Sequence, residues 1–352
     1  MSIKTYKLAM LEAMAEEMRR DPSVYLMAED LLGRGGSSQY LGLPEMLGST
    51  DRLLDAPISE TAIVASAVGA ALAGMRPVID MRFSNCLPVC MDELVNQAAK
   101  SRYMFGGQGK VHMVVRCPDG ILKMQGAHHT DCLEAWFAHM PGLQVVIPSS
   151  PAEGKGLLKT AIRNDNPVMF FEHKTLLKME GEVPDEEYTI PLGKARIARE
   201  GKDVSIVVYG VMVSRALTAA EELAKKGIDA EVIDLRTISP WDRETVLASI
   251  KKTGHAVVAH EAVKQGGFGA EISATVADHC RGGVLRPQSA CCAHRRAVCS
   301  HPDDAASGGS VPHATQGHCC GSEEGRFQIN GHSSRRINRN IVWAEGVHSG
   351  RG

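Results

Sequence analysis

A rhythm constrains this chain more than any single motif. From the first residues, stretches of about 10 to 17 residues with helical spacing of apolar positions alternate with short runs rich in β-branched residues. Strands are predicted over VYLMAED (24–30), 76–83, VHMVVRCP (111–118), LQVVIP (143–148) and PVMFFEHK (167–174). Between them lie predicted helices over 4–20, 60–74, 90–104 and 132–139, and one after Pro151, where proline suits a first turn. Strands that alternate with helices in this way build a parallel sheet covered by helices, the α/β class.

A polar, acidic connection, KMEGEVPDEEYTIPLG (178–193), interrupts the rhythm, which then restarts. Strands are predicted at 203–210, 229–236 and 255–262, with helices at 212–226, 242–252 and 268–280. The expected organisation is a first α/β domain over 1–180, a linker over 181–195, a smaller and incomplete α/β domain over 196–280, and an irregular tail over 281–352. Charge divides at the same place: the body carries about −6 and the tail about +4, with nine Arg and no Lys in the tail. The break suggests a frameshifted or truncated natural end. Cys291, Cys292, His294, Cys299 and His301 are zinc-type ligands, but their spacing matches no familiar site, so the tail reads as disordered in preference to metal-binding.

No basic stripe with interleaved aromatics suggests nucleic acid, and no run approaches the roughly 18 apolar residues of a membrane span. MSIKTYKLAM runs into a helix, not a signal sequence, so a cytoplasmic location is expected. Single, scattered cysteines in the body suit reduced thiols.

The chemistry-bearing run is DAPISETAIVASAVGAALAGMRPVIDMRF (55–83). Glu60 falls at the first turn of a predicted helix, where a carboxylate gains from the helix dipole. On physics alone it is an ordinary helix-start acid with Ser59 as cap. Read with MDELVNQAAKSRYMFGGQ, GAHHTDCLEAWFAHMPGLQVVIPSSPAEGKGLLKTAIRNDNPVMFFEHK, IPLGKARIAREGKDVSIVVYG, EVIDLRTISPWD and HEAVKQGGFGAEI, however, the chain resembles, over 1–280, the β subunit of the E1 component of 2-oxo acid dehydrogenase complexes, of the pyruvate and acetoin dehydrogenase type.

The resemblance implies a thiamine diphosphate pyrimidine-binding domain followed by a transketolase-C-terminal-like domain. It implies that Glu60 hydrogen-bonds the pyrimidine N1′ and favours the imino tautomer that deprotonates thiazolium C2, and that His129 assists acyl transfer. Glu29, Ile58, Phe83 and Cys86 are the other expected cofactor contacts, and no metal ligand is expected in this chain. No G-D-G occurs, so the diphosphate and its Mg²⁺ are expected on an E1 α subunit, in an assembly of two α and two β chains that serves a lipoyl-bearing E2 acyltransferase. The small substrate is a 2-oxo acid or acetoin. His139 and His173 read as packed histidines.

Some positions depart from the family pattern. Asn85 and Cys86 stand where an acidic or polar residue and then Phe are usual, and His128 and Asp131 replace Gln. These changes keep open a non-catalytic assembly or regulatory paralogue; a transketolase-like half-enzyme is the other alternative.

Overall fold

The computed structural model describes residues 1–32, 38–122 and 125–279 and the strand Ile341–Glu345. In chain order the elements are β1 (Ser2–Thr5), α1 (Tyr6–Arg20), β2 (Val24–Glu29), α2 (Leu43–Leu47), β3 (Leu53–Ala56), α3 (Glu60–Leu72), β4 (Arg76–Asp80), α4 (Ala99–Met104), β5 (Val114–Asp119), α5 (Glu134–Ala138), β6 (Gln144–Val146), α6 (Pro151–Arg163), β7 (Val168–His173) and β8 (Glu180–Val183). There follow β9 (Arg196–Arg199), β10 (Val204–Val208), α7 (Met212–Ala224), β11 (Ala230–Asp234), β12 (Thr237–Ser239), α8 (Arg243–Thr253), β13 (Ala256–His260), α9 (Gly269–His279) and β14 (Ile341–Glu345).

Seven strands form the first sheet in the order β12-β6-β7-β5-β4-β2-β3, and five form the second in the order β14-β13-β10-β11-β9. All pairs in the first are parallel except β12 on β6, and all in the second except β9 on β11. The central strands β5, β7, β10, β11 and β13 are buried along their whole length, the condition that makes Val204–Val208 and Ala256–His260 near-continuous apolar runs. Helix α1 is capped by Thr5, whose hydroxyl accepts the Leu8 N–H at 3.2 Å. It packs on α6 at Gly154, where a Cβ would lie 2.7 Å from the Tyr6 ring, so only glycine permits this approach.

Several short elements escaped the sequence pattern. Glu180–Val183, inside the stretch read as a linker, pairs antiparallel with β1. Arg196–Arg199 and Leu53–Ala56 are edge strands whose mixed composition carries no period. The strand placed at 76–83 ends at Asp80 because the chain turns sharply at Arg82, φ +60°. Where an unfinished second sheet was expected, β14 pairs in parallel with β13 from inside the segment read as irregular. The tail cysteines and histidines considered as zinc ligands lie outside the described residues.

One local device occurs twice. Val78-Ile79-Asp80-Met81-Arg82 ends β4 and Val232-Ile233-Asp234-Leu235-Arg236 ends β11. In both the Asp carboxylate accepts the Arg N–H, at 2.7 and 3.0 Å, and the Arg adopts a left-handed φ, +60° and +61°. Non-glycine residues accept that conformation only when surrounding bonds hold it. After β4 this turn aims the next residues across the carboxyl end of the first sheet, where open α/β sheets place their sites.

Candidate active site

Four consecutive residues, Phe83 to Cys86, follow the Arg82 turn, and each fastens a different part of the molecule. The Phe83 ring stacks on His129, with centroids 4.2 Å apart and planes 18° from parallel. Ser84 Oγ donates to Asp119 Oδ1 at 2.6 Å, at the end of β5. Asn85 Nδ2 donates to Asp131 Oδ2 at 2.6 Å. The Cys86 thiol lies close enough to Glu60, at the start of α3, for that carboxylate to raise it, and its own N–H closes back on Phe83 O at 3.1 Å. Glu60 and His129, 69 positions apart in sequence, are thereby held by one short segment.

Glu60 is half-buried at the N-terminus of α3, where the unsatisfied backbone N–H groups favour negative charge. Ser59 is not the side-chain cap expected: its hydroxyl donates to Pro57 O at 2.9 Å, which fixes the loop instead. Glu29, at the end of β2, faces Glu60. Burial pushes its carboxyl up and Glu60 adds to the rise, against the pull of Arg82, whose Nε lies 3.6 Å away. Its Oε2 is buried and has no hydrogen-bond partner. Burial first, then the Glu60 charge, pushes the Cys86 thiol to about 11, so it is neutral at physiological pH. Ile58, on the loop before α3, is 74% exposed.

His129 is half-buried, whereas its neighbour His128 is exposed. The His129 Nδ1 is buried without a hydrogen-bond partner. Its carbonyl accepts from Lys174, whose ammonium also sits 5.6 Å from the Phe83 ring centre. His173 is packed as expected, with Nδ1 2.7 Å from Thr175 Oγ1 and Nε2 2.6 Å from Glu261. His139 is not packed; it is exposed after α5. Sequence reasoning missed Arg82 and Lys174. The repeated V-I-D-x-R run was the available signal for Arg82, while Lys174 reaches the site only through the pairing of β7 with β5.

The arrangement suits a heteroaromatic base carrying an amino group. Glu60 can share a proton with a ring nitrogen, Glu29 Oε2 offers an unused acceptor, and exposed Ile58 offers apolar surface. Among the described residues no helix is long and apolar enough to cross a membrane.

Residues 3–180 match the family model for the transketolase pyrimidine-binding domain, and residues 193–305 that for the transketolase C-terminal domain. The chain is 49% identical over 287 residues to the β subunit of acetoin:2,6-dichlorophenolindophenol oxidoreductase of Cupriavidus necator, covering 79% of this chain and 85% of that one. It is 41% identical over 282 residues to the 2-oxoisovalerate dehydrogenase β subunit of Bacillus subtilis, covering 80% and 86%. With the pyruvate dehydrogenase E1 component β subunit of Bacillus subtilis the identity is 44% over 276 residues, covering 77% and 83%. Among solved structures, a split-gene transketolase described as an inactive β4 tetramer superposes with TM-score 0.65 over 78% of this chain and 85% of that one, at 23% identity, a likeness of fold alone. With both domain families matched in order and enzymes of one kind related along most of its length, the chain belongs to the E1 β-subunit family of the thiamine-diphosphate-dependent acetoin and 2-oxo acid dehydrogenases.

Proposed function

We propose that this chain is the pyrimidine-binding half of a two-chain active site, dividing into the domains 1–180 and 196–280 around a connection at 181–195, and that it acts on a 2-oxo acid or acetoin. The observation that carries the reading is the Phe83–Cys86 segment, which joins the carboxylate suited to cofactor activation to the histidine suited to acyl transfer. Thiamine diphosphate, when bound, supplies the nucleophilic carbon and the electron sink for carbon–carbon cleavage.

The residues of this chain hold and orient. Glu60 would share a proton with the pyrimidine ring nitrogen, and Glu29 Oε2 would accept from an N–H brought against it. Arg82 keeps charge on Glu29 tolerable beside Glu60. Cys86 lies beside Glu60 and stays neutral, adding no second charge to the carboxylate. His129, steadied by Phe83 and Lys174, can hold or deliver a proton as the acyl unit leaves for the lipoyl group of an E2 partner.

The diphosphate and Mg²⁺ would be held by an E1 α subunit in an α2β2 assembly. The bare face of α3, with Ala62, Ala65, Ser66, Gly69 and Ala73 exposed, and exposed Ile58 and Val89 nearby support such a covering chain. Co-expression with the α chain, followed by dye reduction dependent on a 2-oxo acid or acetoin with thiamine diphosphate and Mg²⁺, tests the reading. Activity with one of these donors, lost in Glu60→Ala, is expected. An assembled complex inactive on all of them would leave the non-catalytic paralogue as the better account.

A further inference from the structure

The carboxyl ends of the two sheets meet over a cavity of about 30 Å³, the room of one water molecule or one ion. Asp119 ends β5, Cys132 and Glu134 lead into α5, His173 ends β7, Tyr209 follows β10 and Glu261 follows β13, and all six line it. One carboxylate oxygen each of Asp119 and Glu134 and the Cys132 sulfur lie within 4.8 Å of one another. Glu134 is 2% exposed; its Oε1 accepts the Tyr209 hydroxyl at 2.8 Å, and its Oε2 is buried with no hydrogen-bond partner. A carboxylate oxygen buried without a partner is costly unless something positive meets it.

The groups around the cavity have their own bonds, and Lys174 also draws Asp119 down from a distance. Glu261 takes His173 at 2.6 Å and Arg215 at 3.3 Å, and Lys174 donates to the His129 carbonyl. Gly120, φ +87°, keeps the wall thin: a Cβ there would lie 2.0 Å from the His173 ring and 2.9 Å from Glu261 Oε2. Burial pushes both Asp119 and Glu134 up, Asp119 further because of the Glu134 charge.

We propose that Asp119, Cys132 and Glu134 bind a single divalent transition-metal cation of the zinc class, seated between the two sheets. Two carboxylates and a thiolate are ligand types that zinc accepts. A thiolate and carboxylates bind metal only in their deprotonated forms, so affinity is expected to rise with pH. Cys132 and Glu134 follow His129 by three and five residues, so the ion pins the His129 loop to the end of β5 and positions it without touching substrate.

The test uses the full-length chain, dialysed against chelator and titrated with Co²⁺, and needs no activity assay. One equivalent is expected to bind with a sulfur-to-cobalt charge-transfer band in the near ultraviolet, and Zn²⁺ should displace it while Mg²⁺ does not. Cys132→Ser should remove that band, and Glu134→Gln should weaken the equivalent by on the order of tenfold or more. Wild type and both variants showing the same stoichiometry and spectrum would overturn the assignment, since the cobalt would then sit on other cysteines. Should Cys132→Ser fail to fold by circular dichroism, Glu134→Gln, which keeps an acceptor for Tyr209, decides alone: an unchanged titration overturns the site.

Discussion

The Glu60 carboxylate lies beside the Cys86 thiol and helps push it up, so the two residues report on each other. Alkylation of Cys86 by iodoacetamide, followed by peptide mass spectrometry, should be slow at pH 7 and rise with a midpoint of about 11. Glu60→Gln removes a negative charge that disfavours the thiolate, so the midpoint should move down. An unmoved midpoint would show that the contact does not exist in solution.

Phe83 steadies His129 by stacking, an interaction worth about 0.5–1.5 kcal/mol beyond burial. Phe83→Leu should therefore lower turnover by roughly 2- to 10-fold, the kinetic equivalent of that energy, and leave the Cys86 alkylation midpoint unchanged. A Phe83→Leu enzyme with full kcat would remove the ring from any role in holding the histidine.

Arg116 and Glu172 form a bidentate pair inside the first sheet, with N–O distances of 2.7 and 2.9 Å, extended by Tyr40 and Tyr6 hydroxyls at 2.8 and 3.0 Å. Arg116→Met leaves the carboxylate buried and unpaired, and urea unfolding should show a loss of about 3–5 kcal/mol. Replacing both partners with methionine should lose less than either single change. If the single variants are near neutral, the pair is not buried as described.

Asp165 ties Lys110, Arg76 and His112 together at 2.8, 3.2 and 3.0 Å, and its pKa falls to about 2 from the ordinary 3.8, chiefly through Lys110. A depressed carboxyl contributes stability above its unfolded pKa and loses it as pH falls through the folded one. The advantage of wild type over Asp165→Asn should be constant above about pH 5, shrink between 4 and 2, and diminish in high salt, because the group is partly exposed. Urea midpoints across pH measure it; a gap that persists at pH 2 would assign the effect to something other than ionisation.

The parallel strands were legible because burial on both sides demands continuous apolar runs, as in Val204–Val208 and Ala256–His260. Edge strands such as Leu53–Ala56 and Thr237–Ser239 were not, since short pairing segments with one exposed face carry no period. The proximity of Glu60, Glu29 and Cys86 was legible through motif resemblance. The bonds of Phe83 to His129 and of Ser84 to Asp119 were not, because they depend on where the left-handed Arg82 turn sends the chain. Ser59 misled for a related reason: a hydroxyl before a helix can serve the loop as readily as the helix.

Strand β12 belongs in sequence to the second half of the chain, yet it lies on β6 of the first sheet, opposite Val146 and Val145, while Arg236 O accepts the Ile147 N–H at 2.8 Å. The chain thus leaves one sheet, adds a rung to the other and returns, as a stitch does through two layers of cloth. Neither layer can swing away without tearing that seam. Heat or denaturant should therefore take both in one cooperative event, and access to the carboxylate and histidine must come from loops or from a covering chain, not from a hinge.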